Sequence, residues 1–272
     1  MSRRRSRRRI KRMVGYGAVG LVSVVLVVLI VLGLVRTPGG GDPLVKEPDV
    51  VIDGEGYEKR RELRHTLIIG VPDDDSLGAQ YLTLITTDMT TKQYYFTNID
   101  YRIKTKIKAI DSHNRQELIE AAIGKAQTYG DGGRTSSLNT ADAVARMLDI
   151  GVPDIICVRT TGGEAPLFQS APAAALSNLL TDIKSTVAKT GKNFTAATSE
   201  VCVWSGLDTE DKLDYLIKQM NTYACTPESP YTLSGTPVSE GLYEVDQKKL
   251  NDLKVRLYLK KVDTETTAGG RS

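Results

Sequence analysis

The chain has 272 residues, with 36 Lys plus Arg against 33 Asp plus Glu, three cysteines and two histidines. Eight of the basic side chains fall in the opening MSRRRSRRRIKR; the 28 that remain against 33 acids leave the rest of the chain at −5. The net +3 is therefore not a nucleic-acid-binding surface, and so few Cys and His exclude a zinc cluster.

In chain order, residues 1–13 form a basic tail, and Val14 to Val35 follow without a charged side chain. As a helix this run spans about 33 Å, enough to cross a hydrocarbon core of roughly 30 Å. A dense basic flank stays on the cytoplasmic side, so everything after Arg36 is expected outside. A cleaved signal peptide shares the charge-then-apolar pattern. This run, however, exceeds an apolar signal core of about 7–15 residues, and no small-x-small site closes it. The expectation is a single-pass anchor, whose arginines also attract anionic lipid.

Residues 36–64 open with the Gly/Pro-rich TPGGGDPL and continue as a strongly charged stretch, read as a flexible extracytoplasmic linker. Residues 65–261 are long enough for one domain with one core, and 262–272 are read as a frayed tail. Cys157 lies in the apolar run DIICV and is expected in the core. Cys202 and Cys225 pair or remain thiols; sequence does not choose. His65 and His113 are too few for a histidine metal cluster.

Within the domain, HTLIIGV (65–71) reads as a buried strand ending in the polar loop PDDDSLG. YLTLITTD (81–88) and QYYFTNI (93–99), joined by MTTK, read as a hairpin rich in Thr and Tyr. RQELIEAAIGKAQTYG (115–130) places Leu118, Ile119, Ala122 and Ile123 at helical spacing, so a helix is expected there. SLNTADAVARMLDIG (137–151) predicts another, capped by Asn139 or Thr140 and ended by Gly151. A buried strand PDIICVRT (153–160), helices over 171–189 and 208–223 (the latter capped by Asp208 or Thr209), and a closing segment from Asp246, a helix with or without a strand at its end, complete the pattern. Strands and helices in this order predict an α/β fold, a mixed-sheet α/β/α sandwich.

The same order of segments resembles the LytR-CpsA-Psr envelope family. In that family a strand of the form NILLLGSD leads to RSDTIMLVSINPKTKKVTLLSIPRD, then to KINAAYAYGG, a helix and a strand like IDYYV. Here TLIIGVPDDD stands for the first piece, and AQYLTLITTDMTTKQYYFTNID matches the second in length, hairpin turn and apolar alternation. KAQTYGDGG stands near the third, and NTADAVARMLDIGVPDIICV near the last pair, so the likeness covers about Thr66 to Val158. The segment from Asn221 to Leu253, with its Tyr-Thr-Leu strand and closing helix, adds to it.

The resemblance implies transfer of a glycopolymer from a polyprenyl-diphosphate carrier to peptidoglycan, on the outer face of a bacterial, Gram-positive, membrane. Such a site needs Arg or Lys on the pyrophosphate, a Mg²⁺ ion with Asp ligands, and an apolar tunnel for the prenyl chain; Ala173 to Leu180 is the expected tunnel wall. The family's charged positions are mostly replaced. RSD falls on Ala79-Gln80 after Gly78, and PRD on Asn98-Ile99-Asp100, keeping only the Asp. The Lys and Asn of KIN fall on Ala122 and Gly124, and the family's later arginine segment is here PLFQSAPAAALSNLL.

Residues that stand in for the lost charges are Asp100 and Arg102 as the catalytic candidates, and Asp73, Asp74 and Asp75 as a Mg²⁺ site or a solvated loop. Lys104, Lys106 and Lys108 alternate at strand spacing toward a phosphate or a solvated edge. Arg134 and Arg159 are substrate-binding candidates, and the turns Gly130-Asp131-Gly132-Gly133 and Gly162-Gly163 are phosphate cradles or plain loops. Three readings stay open: an LCP-like protein that binds lipid-linked glycopolymer or polyprenyl phosphate with degenerate catalysis, an active phosphotransferase using altered residues, and an unrelated anchored binding domain.

Overall fold

The computed structural model describes residues 48–74, 78–110, 116–160 and 164–262. The expected basic tail, membrane span and all of the expected tail 262–272 but its first residue lie outside these residues, as do Asp75, His113 and Gly162-Gly163. Among the described residues no helix is long and apolar enough to cross a membrane.

The first elements are β1 (Val50–Ile52) and β2 (Glu55–Lys59). They are antiparallel, and Asp53 and Gly54 between them both take positive φ, 52° and 82°, the conformation that an Asp-Gly hairpin turn demands. β3 (Leu63–Val71) follows. From His65 onward it is buried throughout because both of its faces are covered. Leu67, Ile69 and Val71 pack to one side and Ile68 to the other. Gly70 fits against the Tyr81 ring, which an added Cβ would approach to 1.8 Å.

β4 (Tyr81–Asp88) and β5 (Gln93–Ile99) form the expected hairpin, in register Leu84 to Thr97. Its turn is held by Asp88 Oδ1, which accepts from the Thr90 and Thr91 amides at 2.9 and 3.0 Å.

β6 (Lys104–Ile110) and β7 (Gln116–Ala122) form a second antiparallel hairpin, followed by a short 3₁₀ helix over Ile123–Thr128. This corrects the helix expected at 115–130. The Glu/Ala/Leu composition suits a helix, but pairing of Ile119 with Ile107 on β6 and packing of that face on the core override propensity.

Next come α1 (Arg134–Leu148), β8 (Asp154–Arg159), α2 (Glu164–Ser170), α3 (Pro172–Thr190) and α4 (Phe194–Val201). The chain then runs through β9 (Trp204–Ser205), α5 (Glu210–Thr222), β10 (Ala224–Cys225) and β11 (Tyr231–Leu233). It ends with β12 (Gly235–Ser239), β13 (Leu242–Val245), α6 (Gln247–Leu257) and β14 (Leu259–Lys261).

Thr209 caps α5 as expected, its side chain accepting from the Lys212 amide. α1 starts three residues earlier than expected, and neither Asn139 nor Thr140 caps it. Thr140 is buried and donates to Gln127 Oε1 at 2.9 Å, and Asn139 bonds the Tyr129 carbonyl.

The central sheet runs β10–β5–β4–β3–β8–β9, with β11 also beside β5. On one face Leu67, Leu82, Leu84 and Ile155 meet Val144, Leu148, Ile107 and Tyr258. On the other, Ile68, Ile85, Phe96 and Ile156 meet Leu176, Leu179 and Ile183 of α3, Ala197 of α4, and Leu213 and Ile217 of α5. Helices on both faces of a mixed sheet make the α/β/α sandwich.

Within the expected linker 36–64, residues 50–52 and 55–59 are strands. β14 pairs with β2, and Ile52, Tyr57 and Leu259 share a small core that high local charge concealed. Cys157 is in the core, and Cys225 is an exposed thiol, so no Cys202–Cys225 disulfide forms.

Candidate functional site

β3, β5, β8 and β11 all run in one direction, so Val71, Ile99, Arg159 and Leu233 emerge at the same edge of the sheet. The carboxyl edge of an open α/β sheet is where loops converge on ligands. Here it gathers the loop after β3, the residues after β5 and the end of β8. The 3₁₀ helix closes underneath. Gly78 is at φ 74°, Ala79 donates its amide to the Gly124 carbonyl at 2.9 Å, and a Cβ on Gly124 would meet the Ala79 oxygen at 2.4 Å. Ala122 and Gly124, which occupy the family's Lys and Asn positions, are thus buried packing residues.

Asp100 and Arg102 are brought together, but onto each other. Asp100 Oδ1 accepts from the Arg102 backbone amide at 3.0 Å and from its Nε at 2.9 Å, while Oδ2 accepts from Nη2 at 2.8 Å. Nη1 donates to the Tyr243 hydroxyl at 2.8 Å, and the guanidinium lies 3.9 Å from the Tyr243 ring centroid. Tyr101 adds a second ring at 5.7 Å. Burial pushes the Asp100 carboxyl up, but the hydrogen bonds and charge of Arg102 outweigh it and hold the carboxyl below its ordinary value. The hydrogen bond to Asp100 raises Arg102 against a smaller effect of desolvation. Both groups are therefore charged, paired and oriented.

Asp73 and Asp74 are exposed on the loop after β3. Arg159 Nη1 donates to the Pro72 carbonyl at 2.8 Å and the Asp73 carbonyl at 3.4 Å, so this arginine ties the end of β8 to that loop. Among the described residues no three His, Cys, Asp or Glu converge as metal ligands. Asp75 lies outside the described residues and Asp100 turns both oxygens to Arg102, so no step is routed through a Mg²⁺ ion.

Lys104, Lys106 and Lys108 share the outward face of β6, opposite buried Ile107 and Ala109. Lys104 lies 3.4 Å from Glu244 and 3.9 Å from Glu120, Lys108 pairs with Asp142 at 3.0 Å, and Lys106 is exposed.

Arg134 opens α1 and is exposed. The turn before it holds its own anion. Asp131 Oδ1 accepts from the Gly133 and Thr135 amides at 2.9 Å each, and the Gly132 amide donates to Ser136 Oγ at 3.0 Å. The amides that would cradle a phosphate are thus occupied by the protein.

Where a tunnel was expected, Leu176, Leu179 and Leu180 interlock with the sheet. Ala173, Ala174 and Ser177 instead line a marginal cleft of about 480 Å³ with Tyr94, Phe96 and Pro230. Asn98 Nδ2 donates to the Gln169 carbonyl at 3.1 Å, tying β5 to the end of α2. Tyr243, which completes the Arg102 environment, was not legible in the sequence. It lies 141 residues away on β13, with no spacing signal connecting the two.

No family model matches the chain, and no curated protein matches it in sequence. Solved structures similar to it include the transcriptional regulator yvhJ from Bacillus subtilis, at 12% identity and TM-score 0.48 over 73% of this chain and 96% of that one. B. subtilis TagU matches at 14% and 0.47 over 72% and 96%. The LytR-CPS2A-psr family protein YwtF (TagT), with bound octaprenyl pyrophosphate lipid, matches at 15% and 0.44 over 72% and 89%. Likeness at these identities and scores says nothing of chemistry, which rests on the residues above. In structure the chain is similar to LytR-CPS2A-psr family proteins, with low sequence identity and no matching family model.

Proposed function

We propose that this chain is a membrane-anchored, extracytoplasmic protein of the cell envelope that binds a lipid-linked anionic glycopolymer and transfers it weakly or not at all. The observation that carries the reading is the closed Asp100–Arg102 pair at the carboxyl edge of the sheet. A clamp for a departing pyrophosphate must meet charge that develops in the transition state. A guanidinium already paired on two nitrogens by a neighbouring carboxylate meets little of it. Each lost charge-assisted bond is worth roughly 1.5–3 kcal/mol, and several together amount to orders of magnitude in rate.

Binding is supported by what stays open. Arg102 keeps an exposed face, Arg134 is exposed on the helix N-terminal to β8, and the cleft along β5 offers Tyr94, Phe96 and Ala173 to a prenyl chain. The uncharged run Val14–Val35 behind its basic flank supports the anchor, and the segment resemblance supports the class of ligand.

The test uses the full chain in detergent, given lipid-linked glycopolymer, peptidoglycan and Mg²⁺. The expected result is bound polymer, with transfer near background for wild type, Asp100→Ala and Arg102→Ala alike. Robust wild-type transfer that falls about a hundredfold in both variants would overturn the proposal.

A further inference from the structure

At the opposite edge of the sheet, where β3 and β8 begin, lies a cleft of about 570 Å³ that neither the candidate site nor the proposed function uses. Its floor is apolar: Leu63, Ile150, Val152 and Pro153, closed by Tyr258 and His65. The floor is fixed in place. His65 Nδ1 is hydrogen-bonded with Thr86 Oγ1 at 3.0 Å, and the His65 and Tyr258 rings meet edge-on at 5.5 Å.

The rim carries Lys59, Arg60 and Arg61, with Asp149 as its acid. Two of the cations are committed. Lys59 pairs with Asp149 at 2.8 Å, and Arg60 pairs with Glu62 at 2.9 Å and with Asp88. Arg61 is exposed and makes no ion pair among the described residues. Lys254, half-buried, stands within electrostatic reach of Lys59 and Asp149. Burial holds its ammonium below the ordinary value, with Asp149 opposing and Lys59 adding to the effect.

We propose that this cleft binds the phosphodiester headgroup of a singly charged anionic lipid, with the apolar floor taking the adjoining chain. One uncommitted guanidinium on a rim whose other cations are already paired suits a single negative charge, whereas a polyanionic glycan would also meet the Asp149 carboxylate. Half-buried Leu63, Ile150 and Val152 offer a free phosphate nothing and an acyl chain a dry contact. The proposal rests on the membrane-anchored reading. Twelve residues, 36–47, separate the uncharged run from the first described residue, a tether of at most about 40 Å when extended, which keeps the local lipid concentration high.

The test places the full chain in phosphatidylcholine bilayers doped with phosphatidylglycerol or phosphatidylcholine carrying a photoreactive acyl chain, and maps the labelled peptides. Labelling of residues 14–35 by both lipids reports the anchor, and labelling of 59–63 and 149–153 reports the cleft, so failure of one reading is distinguishable from failure of the other. The expected result is cleft labelling by phosphatidylglycerol about tenfold above phosphatidylcholine, lost in Arg61→Glu, restored in Arg61→Lys and indifferent to excess glycerol phosphate. Equal labelling by the two lipids, or labelling unchanged in Arg61→Glu, overturns the site. Suppression by glycerol phosphate overturns the lipid as its occupant.

Discussion

Arg102 and Asp100 are two residues apart in sequence and joined by three hydrogen bonds, one from the backbone and two from a guanidinium fork, at 2.8–3.0 Å. Tyr243, arriving from β13, stacks on the same guanidinium and takes a fourth bond. The arrangement is preorganised, but for the protein's own carboxylate. An active clamp would leave the fork facing the ligand and the carboxylate facing a metal ion.

The turn at Asp131 makes a similar statement about phosphate binding. Its carboxylate occupies the amides at the start of α1, and those bonds hold it below its ordinary value against the opposing effect of desolvation. Asp131→Ala is expected to cost about 1 kcal/mol of stability, as loss of a helix cap does, read from the urea midpoint at constant slope. No change in midpoint would show that the cap is not needed.

Stability should also depend on pH through His65, which burial pushes down to about 4. Between pH 6.5 and 4 the unfolded chain takes up a proton that the native state does not. The stabilisation is therefore complete above about 6.5 and is lost as pH falls toward 4, by about 3 kcal/mol at most. Depressed Asp88 and Asp100 act at lower pH, in the carboxylate range. Urea unfolding of His65→Gln across this window is expected to show a flatter profile; a profile as steep as wild type would assign the slope elsewhere.

Topology has a direct probe in Cys225, the exposed thiol. A membrane-impermeant maleimide added to intact cells is expected to label wild type and not Cys225→Ser. Labelling that appears only after the membrane is permeabilised would reverse the orientation.

Much of this fold was legible because pattern and packing agreed. β3, the β4–β5 hairpin, β8 and α3 are long apolar or periodic runs whose burial follows directly from sequence. The β6–β7 hairpin was not, because Glu117, Leu118, Glu120 and Ala121 suit a helix and only the distant partner strand decides otherwise. The β1–β2 hairpin carried its signal in Asp53-Gly54, hidden by the charge around it; its apolar partner, Leu259, lies about two hundred residues on. At the site, Asp100 and Arg102 were found by position, but their mutual closure and the Tyr243 ring depend on contacts that no spacing reveals.

The most direct measurement is the affinity of the full chain for farnesyl diphosphate in wild type and Asp100→Asn. If Asp100 holds Arg102 away from ligand, neutralising it releases the guanidinium, and binding should tighten about tenfold, an effect that Arg102→Ala in the same background abolishes. Weaker binding in Asp100→Asn would mean that the carboxylate itself serves the ligand or its metal ion, and would contradict the account.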